Sequence, residues 1–310
     1  MDRLKILITG ISGFIGRSLA EEIINRNLPW DISGIDIKPP MFNDCKYLKA
    51  IGFETVDIRD EISVRQYFNA KKFDGIIHLA AVSRVIDGEK NKQNCIATNF
   101  KGTKYIAEAA AMLDCWMIFG SSREVYGEQN VLPVAETAEL LPMNVYGFYK
   151  LEGERIVQST VPNHCILRFS NVYGNNYDIP TRVIPAFVRA AVDGGTIHLE
   201  GGEQIIDFTY IDDTVSAIIR CVQCLDTKEF TTETIHVLPG VANRITDIID
   251  ILREFGYRFT VDVRPPRCYD VQKFVGDQSH LRKVLGEINF TDLRTGIMKT
   301  LKNIIARPTN

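Results

Sequence analysis

The stretch Leu4–Gly16, LKILITGISGFIG, decides the architecture. An apolar, β-rich run passes straight into a turn with glycines at 10, 13 and 16, and a helical pattern opens behind it. Glycines at these positions let the backbone turn tightly and approach a charged group with no Cβ in the way. Free amides at the start of the following helix, at the positive end of its dipole, then suit a pyrophosphate. Three glycines alone are a weak signal; the strand before and the helix after supply the context. Gly10, Ser12, Gly13, Phe14, Ile15 and Gly16 are therefore the expected phosphate cradle of a dinucleotide. Asp36 ends the next β-rich run, 20 residues beyond Gly16. A carboxylate there accepts both ribose hydroxyls and repels a 2′-phosphate, which favours NAD over NADP.

Outward from this turn the first half keeps one rhythm. LKILIT, DISGID, GFETVD, DGIIHLA, CWMIFG and HCILRF read as strands. GFIGRSLAEEIINRN, ISVRQYFNAKK, ATNFKGTKYIAEAAAM and NVYGFYKLEGERIVQ lie between them with helical spacing of apolar residues. Such alternation builds a parallel sheet covered by helices on both faces, and right-handed crossovers make it doubly wound, a Rossmann sheet. After about Asn175 prolines and the pairs Gly194-Gly195 and Gly201-Gly202 break the chain into shorter elements. The expectation is a dinucleotide-binding domain over 1–174 and a smaller α/β substrate domain over 175–310, with some segments returning to the first.

Composition narrows the function. The chain has 310 residues, 45% hydrophobic and 24% charged, as expected of a globular protein. A net charge of −3 argues against broad nucleic-acid binding, which needs a basic surface. No apolar run approaches the roughly 20 residues that span a bilayer, and MDRLKILITG lacks the layout of a signal peptide. Seven scattered cysteines fit reduced thiols in the cytoplasm. Cys221 and Cys224 form a single CxxC inside a helical pattern and read as core rather than as a metal site; no metal is expected.

Further strings carry a resemblance. TGISGFIG (9–16), DIRD (57–60), HLAA (78–81), NFKGT (99–103), SSREVYG (121–127), YGFYK (146–150), RFSNVYG (168–174), QIIDFTYIDD (204–213) and PPRCYDVQKFVGDQSHLRKVLG (265–286) occur in this order. Together they resemble the extended short-chain dehydrogenase/reductase family, in its nucleotide-sugar epimerase and dehydratase branch, over nearly the whole chain. The resemblance implies NAD, a nucleoside-diphosphate sugar substrate and a homodimer formed through helices around 92–113 and 144–160. It adds Asp57, Ile58, Leu79, Ala80, Ala81 and Asn99 to the cofactor contacts. It also places Ser122, Asn171 and Arg267 on the substrate side; Ser83 and Arg84, which follow HLAA, and Arg123 are expected there too, with Arg182 or Arg244 as the candidate second phosphate arginine. The family's second phosphate arginine is replaced here by Ile206.

Tyr-xxx-Lys occurs three times, at 67/71, 146/150 and 269/273. Ligands bind at the carboxyl ends of parallel strands. Tyr67 and Lys71 end a helix feeding a strand, at the opposite edge, and Tyr269 and Lys273 lie beyond two prolines. Only Tyr146 and Lys150 open a helix that follows a strand. Lowering a tyrosine from about 10 to about 7 needs about 4 kcal/mol. One positive charge about 4 Å away supplies about 4 kcal/mol at an effective dielectric of about 20. Lys150 and an oxidised nicotinamide therefore suffice to make Tyr146 the base, with Ser122 as donor or relay. In dehydratases of the family an Asp-Glu pair occupies 123–124; here Arg123 precedes Glu124, which leaves Glu124 as a base or a sugar ligand. The leading expectation is an epimerase acting at carbon 4. The alternatives are a 4,6-dehydratase or decarboxylase using Glu124, a 4-dehydrogenase or 4-ketoreductase, and a non-catalytic dinucleotide sensor.

Overall fold

The computed structural model describes residues 3–42, 45–69 and 71–306. In chain order the first strands are β1 (Leu4–Thr9), β2 (Trp30–Asp36), β3 (Ile51–Thr55), β4 (Gly75–His78), β5 (Trp116–Ser122) and β6 (His164–Phe169). Then come β7 (Asn171–Tyr173), β8 (Thr196–Glu200), β9 (Ile205–Ile206), β10 (Phe208–Tyr210), β11 (Thr232–Val237), β12 (Asn243–Arg244) and β13 (Thr260–Arg264). The helices begin with α1 (Phe14–Asn25), α2 (Cys45–Lys49), α3 (Glu61–Asn69), α4 (Val85–Lys90), α5 (Lys92–Cys95) and α6 (Thr103–Met112). They continue with α7 (Val145–Thr160), α8 (Val183–Val192), α9 (Ile211–Asp226), α10 (Ile245–Glu254), α11 (Ser279–Leu285) and α12 (Leu293–Ala306).

One seven-stranded sheet runs in the order β3-β2-β1-β4-β5-β6-β11. β1 pairs in parallel with both β2 and β4, so the strand order reverses between β1 and β4. That reversal is the switch point at which doubly wound sheets bind ligands. β4, β5 and β6 are buried along their whole length, as strands covered on both faces must be. Leu7, Ile76, Met117, Phe119 and Ile166 of the sheet form one core with Val64 and Phe68 of α3, Ile106 of α6 and Val157 of α7.

Contacts divide the chain into two compact units. The first comprises 1–127, 140–168 and 215–235, and the second 128–139, 169–214 and 236–310. The chain therefore changes unit several times on either side of the Gly174/Asn175 boundary expected from the sequence. The second unit holds three two-stranded sheets, β10-β7, β12-β9 and β13-β8. Cys221 and Cys224 lie buried in α9, as core residues. Among the described residues no helix is long and apolar enough to cross a membrane.

Candidate active site

The glycine turn has the geometry that the sequence requires. Gly10 adopts φ +71°, and a Cβ there would stand 2.6 Å from the Ala80 nitrogen. A Cβ on Gly16 would meet the Gly10 carbonyl oxygen at 2.4 Å. These two positions draw the ends of β1 and β4 and the start of α1 together. Gly13 is the N-cap of α1 and no side chain caps it, so the anion site of the helix start is left to a ligand. Phe14 is buried and Ile15 half-buried on the first turn.

Asp36 is aimed by its neighbours. Its carboxylate accepts the Ser12 amide at 3.0 Å and the Ile37 amide at 2.7 Å. Ser12 Oγ donates to the Lys38 carbonyl at 2.5 Å, closing the turn over the end of β2. Lone pairs remain on Asp36 for two ribose hydroxyls, and its charge opposes a third phosphate. The residues present fit NAD.

Behind the turn runs a buried chain of hydroxyls. Ala80 N donates to Thr9 Oγ1 at 3.2 Å, Thr9 Oγ1 meets His78 Nδ1 at 2.6 Å, and His78 Nε2 meets Thr103 Oγ1 at 3.1 Å. Burial, with help from Lys150, pushes His78 down to about 3, so it stays neutral and serves as a spacer. Asn99 lies in a π-helical segment, Ile96–Gly102. Its amide donates to the Val82 carbonyl at 3.0 Å and accepts the Val82 amide at 2.8 Å, which holds the loop after Leu79, Ala80 and Ala81. The Asp57 carboxylate is clasped by Arg59, whose Nε lies 2.9 Å from Oδ1 and whose second nitrogen lies 2.6 Å from Oδ2. That hydrogen-bonded pairing holds Asp57 below the usual carboxylate range. Ile58 is buried against Gly102.

Ser122, Tyr146 and Lys150 all come from the first unit, at the carboxyl end of β5 and the first turns of α7. Ser122 Oγ accepts the Glu124 amide at 3.2 Å, closing the short 3-10 turn Arg123–Val125. With one lone pair used, the serine proton is left to be donated. Asn144 caps α7, its Oδ1 accepting the Gly147 amide at 2.8 Å. Glu89 of α4 accepts the Val145 amide at 2.8 Å. Tyr146 and Lys150 both lie on the buried face of the helix. Lys150 Nζ donates to the Gly120 carbonyl at 2.7 Å and sits 4.9 Å from the centre of the Phe119 ring. Burial lowers Lys150 to about 8, against the opposing pull of Cys95 and Glu154.

Glu154, one turn beyond Lys150, anchors a buried network. It accepts Ser121 Oγ at 2.5 Å and two nitrogens of Arg168 at 2.9 and 2.7 Å. Arg168 also donates to the Tyr126 hydroxyl at 2.6 Å. Neither this network nor Glu89 was found from the sequence, because the partners lie far apart in the chain. Asn144 did carry a signal: an Asn just ahead of a helical pattern is a common cap.

The other two Tyr-xxx-Lys matches are excluded by placement. Tyr67 is buried in α3, while Lys71 lies beyond the helix end and pairs with Glu54. Tyr269 and Lys273 lie outside any helix.

The substrate-side residues divide between the units. Ser83 is exposed and Arg84, 3.9 Å from Asp87, begins α4; both belong to the first unit. Asn171, Arg182, Ile206 and Arg267 belong to the second. The Asn171 amide donates to the Asp207 carbonyl at 3.3 Å. Arg182 lies 3.4 Å from Asp178, and Arg267 pairs with Asp270 at 2.8 Å and with Glu200 at 3.2 Å. Ile206 is buried in β9, and its antiparallel partner β12 brings Arg244 opposite Ile205.

A doubly wound sheet with a glycine cradle and a buried Tyr-Lys helix at the same strand ends defines a dinucleotide-dependent oxidoreductase site. The profile of the NAD dependent epimerase/dehydratase family matches residues 6–232. The chain belongs to that family and is an enzyme of its type. It is 32% identical over 234 residues to a UDP-N-acetyl-alpha-D-glucosaminuronate decarboxylase of Bacillus cytotoxicus, covering 70% of this chain and 71% of that protein. It is 26% identical over 348 residues to a dTDP-glucose 4,6-dehydratase of Shigella flexneri, covering 98% and 93%. The crystal structure of the Thermotoga maritima UDP-glucose 4-epimerase with UDP-glucose superposes with a TM-score of 0.88 at 25% identity, over 98% of this chain and 99% of that one. The names of these relatives cover three reactions, a decarboxylation, a dehydration and an epimerisation, so the choice among them rests on the site.

Proposed function

We propose that this enzyme epimerises carbon 4 of a nucleoside-diphosphate sugar, with NAD retained between the two half-reactions. The observation that carries this reading is the Ser122, Tyr146 and Lys150 set, with arginine at position 123 where an eliminating acid would stand. NAD held on the glycine turn would supply a hydride acceptor for carbon 4 and, once reduced, a hydride donor. Tyr146 takes the hydroxyl proton as the carbonyl forms and gives it back on reduction. Lys150, held by Gly120, stabilises the phenolate by charge. Ser122 donates to the substrate oxygen. Gly10–Gly16, Asp36, the 57–58 backbone and the 79–81 loop hold the cofactor. Asn171 and Arg267, with Arg182, hold the diphosphate, whose paired oxygens suit a guanidinium fork. Ser83, Arg84 and Arg123 line the sugar side.

We place the enzyme in the cytoplasm, supported by seven cysteines that are all free thiols. We also propose a homodimer through the outer faces of α6 and α7. Phe148 is exposed there, stacked edge-on to Tyr149 at 5.1 Å, and Tyr149 lies 6.1 Å from Phe100. Sedimentation showing only monomer at micromolar concentration overturns the dimer.

The test of the reaction is a panel of UDP-, dTDP- and GDP-hexoses and hexuronic acids, read by product stereochemistry and by absorbance of bound reduced cofactor. Inversion at carbon 4 is expected for one of them. A panel giving neither product nor reduced cofactor, with NAD bound, overturns the proposal.

A further inference from the structure

Ser122 and Tyr146 sit on separate pieces of chain; Lys150 to Gly120 and Glu154 to Ser121 tie α7 to β5 further along the helix, and Glu124 ties the two at the helix start. Glu124 N–H donates to Ser122 Oγ at 3.2 Å. The Glu124 carbonyl oxygen lies beneath the first turn of α7, where a Cβ on Gly147 would stand 2.4 Å from it. Its carboxylate reaches both ways. Oε1 accepts an Arg123 guanidinium nitrogen at 3.0 Å, and Oε2 accepts Asn144 Nδ2 at 2.8 Å. Asn144 spends its other end on the Gly147 amide, the cap of α7. The side chains of Arg123 and Glu124 are each only 8% exposed.

We propose that Glu124 is a positioning residue, a strut that sets the Ser122 hydroxyl against the Tyr146 phenol, and that it takes no proton from the sugar. This deepens the proposed epimerase and rests on it for its kinetic consequence. A base must aim a lone pair at the C–H bond that it breaks. Each oxygen of Glu124 is turned to a donor, Arg123 on one side and Asn144 on the other, so the carboxylate is fixed between the 3-10 turn and the helix cap. The same two bonds run from the 3-10 turn to the helix cap, which is where a strut must act. Two groups that handle the same substrate oxygen need to be held to within about 0.5 Å. The bonds of Lys150 and Glu154 to β5 act one and two turns further along α7, so at the helix start the ion pair and the cap add that rigidity.

The strut is read first without substrate, by hydrogen exchange on the NAD-loaded protein. Glu124→Ala removes the carboxylate; Asn144→Ser keeps a capping hydroxyl and removes the amide donor. Both variants should speed exchange of the amides of 145–150 about tenfold, with the double variant no faster than either and α1 unchanged, because they break one bond. In turnover both should lose about 30- to 100-fold in kcat, the scale of an ångström-sized misplacement, with KM held within about twofold. Wild-type enzyme working in deuterium oxide should put no deuterium on carbon 5. Unchanged exchange at 145–150 in both single variants overturns the strut, whatever the activity. So does deuterium on carbon 5 that vanishes in Glu124→Gln while bound cofactor is still reduced. If no sugar nucleotide reduces the cofactor in wild-type enzyme, the carbon-4 reading fails, and the exchange arm still decides the strut.

Discussion

The two groups of site residues are held by different means. At the end of β5 and the start of α7, Ser122, Glu124, Tyr146 and Lys150 are buried. Their fixings come from short bonds inside one unit, such as Lys150 to Gly120 at 2.7 Å and Asn144 to Glu124 at 2.8 Å. In the second unit Arg267 keeps about a third of its side chain exposed and is shared between Asp270 and Glu200. Arg182, a quarter exposed, lies 3.4 Å from Asp178, whose own side chain is buried. Proton transfer depends on distances set to fractions of an ångström, so its groups are built on packed secondary structure. An anion is attracted over several ångströms, and a diphosphate can compete with the partly exposed carboxylates that hold Arg267. On the proposed roles, rigidity belongs to the chemistry and exchangeable pairing to recognition at Arg267.

The sharpest way to break that contrast is Tyr146→Phe. The ring and its packing remain, so cofactor and substrate affinity should change little, while the proton has no acceptor. General-base catalysis contributes about 10²- to 10⁴-fold, and the variant should lose kcat by about 10³-fold with KM nearly unchanged. Steady-state kinetics decide it. A variant with wild-type kcat would strip the α7 residues of their role and leave only the cofactor cradle.

This division also explains what was legible in the sequence. The first six strands were readable because buried parallel strands are short apolar runs bounded by helical patterns, as IIH and WMIFG show. β11, the outer strand beside β6, was not recognised; TETIHV has a polar half that is partly exposed and lies after the rhythm has loosened. Tyr146 and Lys150 could be preferred to the other two pairs because the choice needed only the direction of chain entry into the sheet. The pairing of Glu154 with Arg168 was not legible, since it joins α7 to β6 and depends on how closely the two pack. The Glu200 partner of Arg267 was not legible either, since β8 and the 265–270 loop meet only in three dimensions.

A smaller but separable effect is expected at Glu154. It is 1% exposed and pairs with Arg168, so Glu154→Gln leaves a buried guanidinium without its carboxylate. Breaking a buried pair from one side costs about 3–5 kcal/mol, which thermal or denaturant unfolding measures. The pH profile gives a second readout. Lys150 is lowered to about 8 by burial, and Glu154 opposes that lowering. Activity needs the ammonium, so it should fall as pH rises through about 8. Removing the Glu154 charge removes part of what holds the proton on Lys150, and the alkaline limb should move to lower pH. A limb that stays in place would show that Glu154 acts on the fold alone.

The mildest expected effect lies at Arg267. If its two carboxylate partners are surrogates that a diphosphate displaces, Arg267→Ala should raise KM about tenfold, or about 1.4 kcal/mol, and leave kcat almost unchanged. The rise should shrink in high salt, since the lost contact is a partly exposed charge pair. Arg267→Lys should recover little, because an ammonium keeps the charge without the planar fork. A fall in kcat matching the rise in KM would mean that Arg267 also orients the sugar over Tyr146. The recognition residues would then be as tightly coupled to the chemistry as the strut, and the contrast between the two regions would disappear.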